Sequence, residues 1–142
     1  MKKRAILWAI IGLVVVGLLL QLIPLPGRGN NPPVSSEPNW DNPQTRTLAK
    51  RACFDCHSNE SRWTLYAYIA PVSWLIYSDI MQGRSRLNFS EWNTHPQAAG
   101  EIASSIQEGE MPPAIYLPLH PEAKLTTAEK QQLITGLTNS LP

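Results

Sequence analysis

The chain of 142 residues carries twelve Lys and Arg against eleven Asp and Glu, room for one small domain and not for two separate cores. Three of the basic residues, Lys2, Lys3 and Arg4, stand at the extreme N-terminus and leave nine against eleven over the remainder; that slightly acidic body has no footprint for a phosphate backbone, so no nucleic acid is expected as a partner. The two cysteines, Cys53 and Cys56, are separated by only two residues, which excludes a disulfide framework as the source of stability.

From Ala5 to Ile23 the run AILWAIIGLVVVGLLLQLI holds no charge over nineteen residues, and only Gln21 in it is strongly polar. As a helix rising 1.5 Å per residue it crosses roughly 30 Å of hydrocarbon. A secretory signal has an apolar core of about 7 to 15 residues before a small-residue cleavage site, whereas this run leaves through Leu25-Pro26-Gly27-Arg28. Residues 1–23 are therefore expected to form an uncleaved anchor, with a long cleaved signal as the alternative. The basic cluster ahead of the run predicts a cytoplasmic N-terminus, a single pass through the inner membrane and a periplasmic remainder.

Between Pro24 and Asp41 lie Pro24, Pro26, Pro32, Pro33 and Pro38, with Gly, Asn and Ser among them. Such a composition reads as an extended linker over residues 24–41, reaching up to roughly 55 Å in polyproline geometry. The domain proper is expected over residues 42–142.

Four helices are predicted within it. Asn42 as N-cap and Pro43 at the first helical position open one that leads through Leu48, Ala49 and Ala52 into Cys53. Pro71 opens a second, with Val72, Leu75, Ile76 and Ile80 on one face and Gly83 at the expected left-handed C-terminal position. A third runs from about Pro96 to Glu108, with Ala98, Ala99, Ile102, Ala103 and Ile106 at helical spacing and Gly109 closing it. The last begins with the capping box Thr126-Thr127-Ala128-Glu129 and buries Leu133, Ile134 and Leu137. No run alternates as a strand, so the fold class is all-α, a small helical domain preceded by one transmembrane helix. About a hundred residues with proline-rich loops bury little apolar surface, and domains of that kind commonly need a metal or a cofactor to hold together.

Cys53-Phe54-Asp55-Cys56-His57 supplies one, because it is the attachment sequence of a c-type haem. Two intervening residues at a helix end let both sulfurs reach the vinyl groups of one porphyrin and form thioethers, and they carry the adjacent His57 beneath the ring as an iron ligand. A thiol redox pair would require a βαβ pattern, and a structural zinc site would require a second close pair of ligands. Neither pattern is present. One covalent haem c is therefore expected, held by Cys53, Cys56 and His57.

For the opposite face of the iron the residues offer Met111, Met81, His95 and His120. Met111 is preferred, since Gly109-Glu110-Met111-Pro112-Pro113 cannot continue a helix and hangs the thioether from a stiff loop between two helices. Met81 falls beside Ile80 and suits packing; His95 and His120 each precede a proline and suit loops. Phe54, Trp63, Tyr66, Tyr68, Trp74, Tyr77, Phe89 and Trp92 are expected mostly in ordinary packing, with one or two at the haem edge. Arg62, Arg84 and Arg86 are candidates for pairing with propionates.

Cys53 to Glu60, Ile69-Ala70-Pro71-Val72-Ser73-Trp74, Gly83-Arg84 followed by Leu87 to Trp92, and Gly109 to Pro113 together resemble the haem-binding domain family of bacterial exported proteins, related in kind to cytochrome c. The resemblance covers roughly Asn42 to Leu141. It implies a mono-haem domain often found near cytochrome c or di-haem peroxidase partners, and it carries over the role of Met111 by analogy with the Met-Pro loop of cytochromes c. Two classes of function follow. The leading one is a single-electron carrier with a redox partner of respiratory or di-haem peroxidase type, in which no residue acts as acid or base. The alternative is a ligand-binding or peroxidase-type haem protein with an open or displaceable distal site.

Overall fold

The computed structural model describes residues 2–94 and 99–141, and among these every regular element is helical. Backbone contacts divide the chain into two units, Met1–Asn30 with Trp63–Asp79, and Asn31–Arg62 with Ile80–Pro142.

The first unit begins with α1 (Lys2–Leu20), nineteen residues none of which is buried. Apolar side chains surround the helix on all sides, so it has no face to offer a protein core. In length and composition it can cross a membrane. Gln21 follows the helix and makes two hydrogen bonds to Ala70: its side-chain amide donates to the Ala70 carbonyl at 3.3 Å and its side-chain oxygen accepts from the Ala70 N–H at 3.0 Å. The rest of the unit is a 3₁₀ turn (Leu65–Tyr68) and the first half of α4 (Val72–Arg86).

The second unit holds α2 (Pro43–Ala52), the single turn α3 (Phe54–His57), the end of α4, α5 (Ala99–Gln107), a 3₁₀ turn (Pro121–Ala123) and α6 (Thr127–Ser140). Asn42 caps α2 by accepting from the N–H groups of Gln44 and Thr45, with Pro43 at the first position as expected. The capping box of α6 is formed in both directions between Thr126 and Glu129. Leu48, Ala49 and Ala52 of α2, Ala103 and Ile106 of α5, and Leu133, Ile134 and Leu137 of α6 make one core with Phe54, Leu87, Phe89 and Trp92. Gly136 lets α6 lie directly against Thr45 of α2.

Two expectations are modified. The helix opened near Pro71 does not end at Gly83 but continues to Arg86, and Gly83 has ordinary helical backbone. Its physical reason is an inter-element contact described below. The proline-rich stretch is not free along its whole length either. From Asn31 onward it hydrogen-bonds within the second unit, Ser35 and Ser36 donating N–H to the Ser90 carbonyl at 2.9 and 3.2 Å and the Trp40 ring tilted against Phe89 at 5.4 Å. The start of the third predicted helix, Pro96 to Ala98, lies outside the described residues; its end is closed by Gly109 at φ 78°.

Candidate functional site

Cys53 ends α2 and opens α3, so the segment from Cys53 to His57 is a helical turn continuing from a well-capped helix. The Cys53 carbonyl accepts from the N–H groups of Cys56 at 3.2 Å and His57 at 2.9 Å, which sets both residues on one turn. The two cysteines form no disulfide, and burial pushes the Cys53 thiol up to about 12, so it stays protonated at neutral pH.

The two residues between the cysteines fasten this turn on opposite sides. Phe54 is 1% exposed and stacks on Phe89 at 5.5 Å, with Trp40 tilted against both. Asp55 accepts from Arg62 at 2.9 Å and from the Tyr116 hydroxyl at 2.7 Å. Tyr116 in turn stacks on His120, ring centroids 3.9 Å apart, and Arg62 also pairs with Glu122 at 2.8 Å. Burial and the bond to Asp55 raise the Tyr116 phenol, and the bond to Asp55 raises the Arg62 guanidinium, so each keeps its proton. The segment after Met111 is thereby tied to the Cys53–His57 turn. Phe54 packs as expected of it, whereas nothing local in the sequence marks Asp55 for its bonds to Arg62 and Tyr116.

His57 is oriented by α4. Its Nδ1 lies 3.1 Å from the carbonyl oxygen of Gly83 and 3.1 Å from that of Leu87. Two acceptors at one ring nitrogen require that nitrogen to carry the proton, which leaves the lone pair on Nε2 for a metal. Burial holds His57 below the ordinary imidazole value and outweighs the two carbonyls, with the charge of Arg86 adding to the depression. The imidazole is therefore neutral, the form that ligates.

Cys53, His57 and Met111 line a single cleft of about 240 Å³, whose apolar walls are Ala52, Leu87, Ile102 and Ile106 and whose polar lining is Arg86, Glu101, Ser105 and Glu110. Met111 is 37% exposed, and its N–H donates to the Ser105 carbonyl at 3.1 Å, anchoring the loop to the end of α5. Cys56 lies on the same turn, where its backbone abuts Gly83, and does not line the cleft.

The other residues considered from the sequence are placed elsewhere. His120 is held among Tyr116, Asp55 and Glu122 and does not line the cleft. Met81 is 44% exposed, not packed in the core. Of the three arginines, Arg62 pairs with Asp55 and Glu122 and Arg84 donates to the Ser58 carbonyl at 2.8 Å, while Arg86 lines the cleft. His95 lies outside the described residues. Among the described residues no group of three His, Cys, Asp or Glu side chains is arranged to hold a metal ion.

This donor set suits a haem. A neutral imidazole with its proton turned away, a thioether and a cysteine share one apolar cleft, and a guanidinium stands on it for the acidic edge of a porphyrin. The sequence model of one family, described as a haem-binding domain, matches residues 15–139. No curated protein and no solved structure matches the chain.

Proposed function

The chain belongs to the haem-binding domain family, and from that premise we propose that it is a membrane-anchored c-type cytochrome domain that passes single electrons. In this reading Cys53 and Cys56 would hold one haem covalently, His57 and Met111 would ligate its iron, and Arg86 would pair with a propionate. The observation that carries the reading is the convergence of Cys53, His57 and Met111 on one cleft.

When bound, the haem supplies the one-electron couple of its iron, at relatively high potential if a thioether is one ligand. The protein's part is positional. The Gly83 and Leu87 carbonyls fix the His57 tautomer and ring plane and raise the basicity of the ligating nitrogen. Ile102, Ile106 and Leu87 keep water from the face they line. The bond from Met111 N–H to Ser105 and the ties from Asp55 to Tyr116 brace both ends of the distal loop. No side chain has to give or take a proton. Lys2, Lys3 and Arg4 keep the N-terminus in the cytoplasm, so α1 crosses the inner membrane once and carries the haem domain on the periplasmic side.

The optical spectrum of the full-length protein tests this. A haem band that persists on a denaturing gel, with the weak far-red absorption of ferric haem ligated by methionine, is expected. High-spin bands with rapid carbon monoxide binding would reject electron transfer through a saturated iron in favour of a ligand-binding site.

A further inference from the structure

Residues 63 to 78, WTLYAYIAPVSWLIYS, contain no charge, and they hold five of the nine Trp and Tyr of the chain: Trp63, Tyr66, Tyr68, Trp74 and Tyr77. Apolar side chains in this stretch are turned to solvent. Leu65 is 81% exposed, Ile69 50%, Leu75 49% and Val72 45%. A patch of this kind in a small domain marks an interaction surface.

Its occupant is indicated by what the stretch is bonded to. Gln21, one residue beyond the end of α1, holds both polar groups of the Ala70 peptide. Tyr77 donates its hydroxyl to the Pro26 carbonyl at 2.7 Å, and Arg28 stands over the Tyr68 ring at 5.5 Å. All of these partners lie in the first unit, between α1 and the start of α4. With Lys2, Lys3 and Arg4 at one boundary, the uncharged part of α1 from Ala5 to Leu20 rises about 24 Å, so Gln21 falls within about one helical turn of the other boundary of a hydrocarbon layer roughly 30 Å thick. A segment clamped to Gln21 is held at that same depth. Its composition matches the depth, because Trp and Tyr concentrate where an apolar ring and a polar edge are both accommodated.

We propose that Leu65 to Leu75 is a second membrane contact, immersed in the interfacial layer of the leaflet through which α1 emerges. Leu65, Ile69, Val72 and Leu75 enter the acyl boundary, the tyrosines and tryptophans lie at headgroup level, and Arg28 is placed to meet lipid phosphate. Asp79, one helical turn beyond Leu75, marks the return to water. The proposal rests on the reading of α1 as a membrane-spanning helix.

The test is photocrosslinking of the full-length, haem-loaded chain in vesicles of phosphatidylcholine and phosphatidylglycerol, and in its native membrane. Benzoylphenylalanine is placed at Ile69, at Leu75, at Leu13 within α1, and at Gln132 on the exposed side of α6, with haem staining as the check of folding. Lipid adducts at Ile69 and Leu75 should approach the yield at Leu13 and exceed that at Gln132 several-fold. Lipid adducts at Leu13 without any at Ile69 and Leu75 would overturn the second contact and leave the anchor standing. Their absence at Leu13 as well would remove the anchor and this contact with it. Protein adducts in place of lipid at Ile69 and Leu75 would assign the patch to a protein partner and overturn the proposal.

Discussion

A β-carbon on Gly83 would lie 3.0 Å from the β-carbon of Cys56 and closer still to its carbonyl oxygen. Without one, α4 approaches the Cys53–His57 turn closely enough for the Gly83 carbonyl to accept a hydrogen bond from His57 Nδ1–H. Gly83→Ala should push the two backbones apart, and overpacking of this kind costs about 1 to 3 kcal/mol. The expected outcome is a lower melting temperature with an altered potential in whatever fraction still carries haem. A variant that matches the wild type in both would show that the close approach is dispensable.

Removing the thiols tests the attachment itself. Cys53→Ala with Cys56→Ala should abolish the haem-staining band on a denaturing gel and leave a protein that is unfolded or very unstable, since the core is small and has no disulfide to hold it. A double variant that kept the band would exclude thioether linkage at these positions.

The acid limb of stability should depend on Glu129. The Thr126 N–H, the Arg51 guanidinium and the Thr126 hydroxyl lower its carboxyl from 4.5 to about 2. The unfolded chain therefore binds this proton at higher pH than the folded one. The contribution is present above 4.5 and is lost as pH falls toward 2. Glu129→Gln should melt lower at neutral pH, with the difference shrinking across that window in thermal melts taken from pH 7 downward. A difference independent of pH would assign the effect to geometry and not to charge. Because Arg51 belongs to α2 and Glu129 to α6, Arg51→Gln should reproduce part of the change.

What could be read from the sequence was whatever acts over a few residues. The Asn42-Pro43 start of α2, the Thr126 capping box and the left-handed Gly109 are local devices, and each formed as expected. Gly83 was misread because a glycine near the end of an apolar helix signals two things alike, a C-terminal turn or a close neighbour, and the neighbour here, Cys56, is remote in sequence. The bracing of the Cys53–His57 turn was hidden for the same reason, since the Asp55 to Tyr116 bond joins residues 61 apart. Proline content suggested a free linker over residues 24–41. Yet proline leaves neighbouring N–H groups available, and those of Ser35 and Ser36 found the Ser90 carbonyl. The exposed aromatic strip was visible as composition, but its bonds to Gln21 and Pro26 were not.

Met111 carries the last prediction. In the proposed reading His57 ligates the iron from the Cys53–His57 turn, so the opposite ligand is expected from a segment distant in sequence that reaches the same cleft, and Met111 does reach it. Its loop is held at one end by the bond to Ser105 and at the other by Tyr116 on Asp55, while Pro112 and Pro113 restrict the backbone between, so little entropy is lost in presenting the sulfur. Met111→Ala should retain the haem band on a denaturing gel, lose the far-red ferric absorption, lower the reduction potential and open the iron to carbon monoxide or imidazole. Met111→His separates ligation from packing: it should restore a low-spin spectrum at a potential below that of the wild type. If Met111→Ala kept the wild-type spectrum and potential while His95→Ala or His120→Ala changed both, the ligand would be that histidine. For His120 this would require it to leave Tyr116 and Asp55, and the Tyr116→Phe variant would then alter the spectrum too.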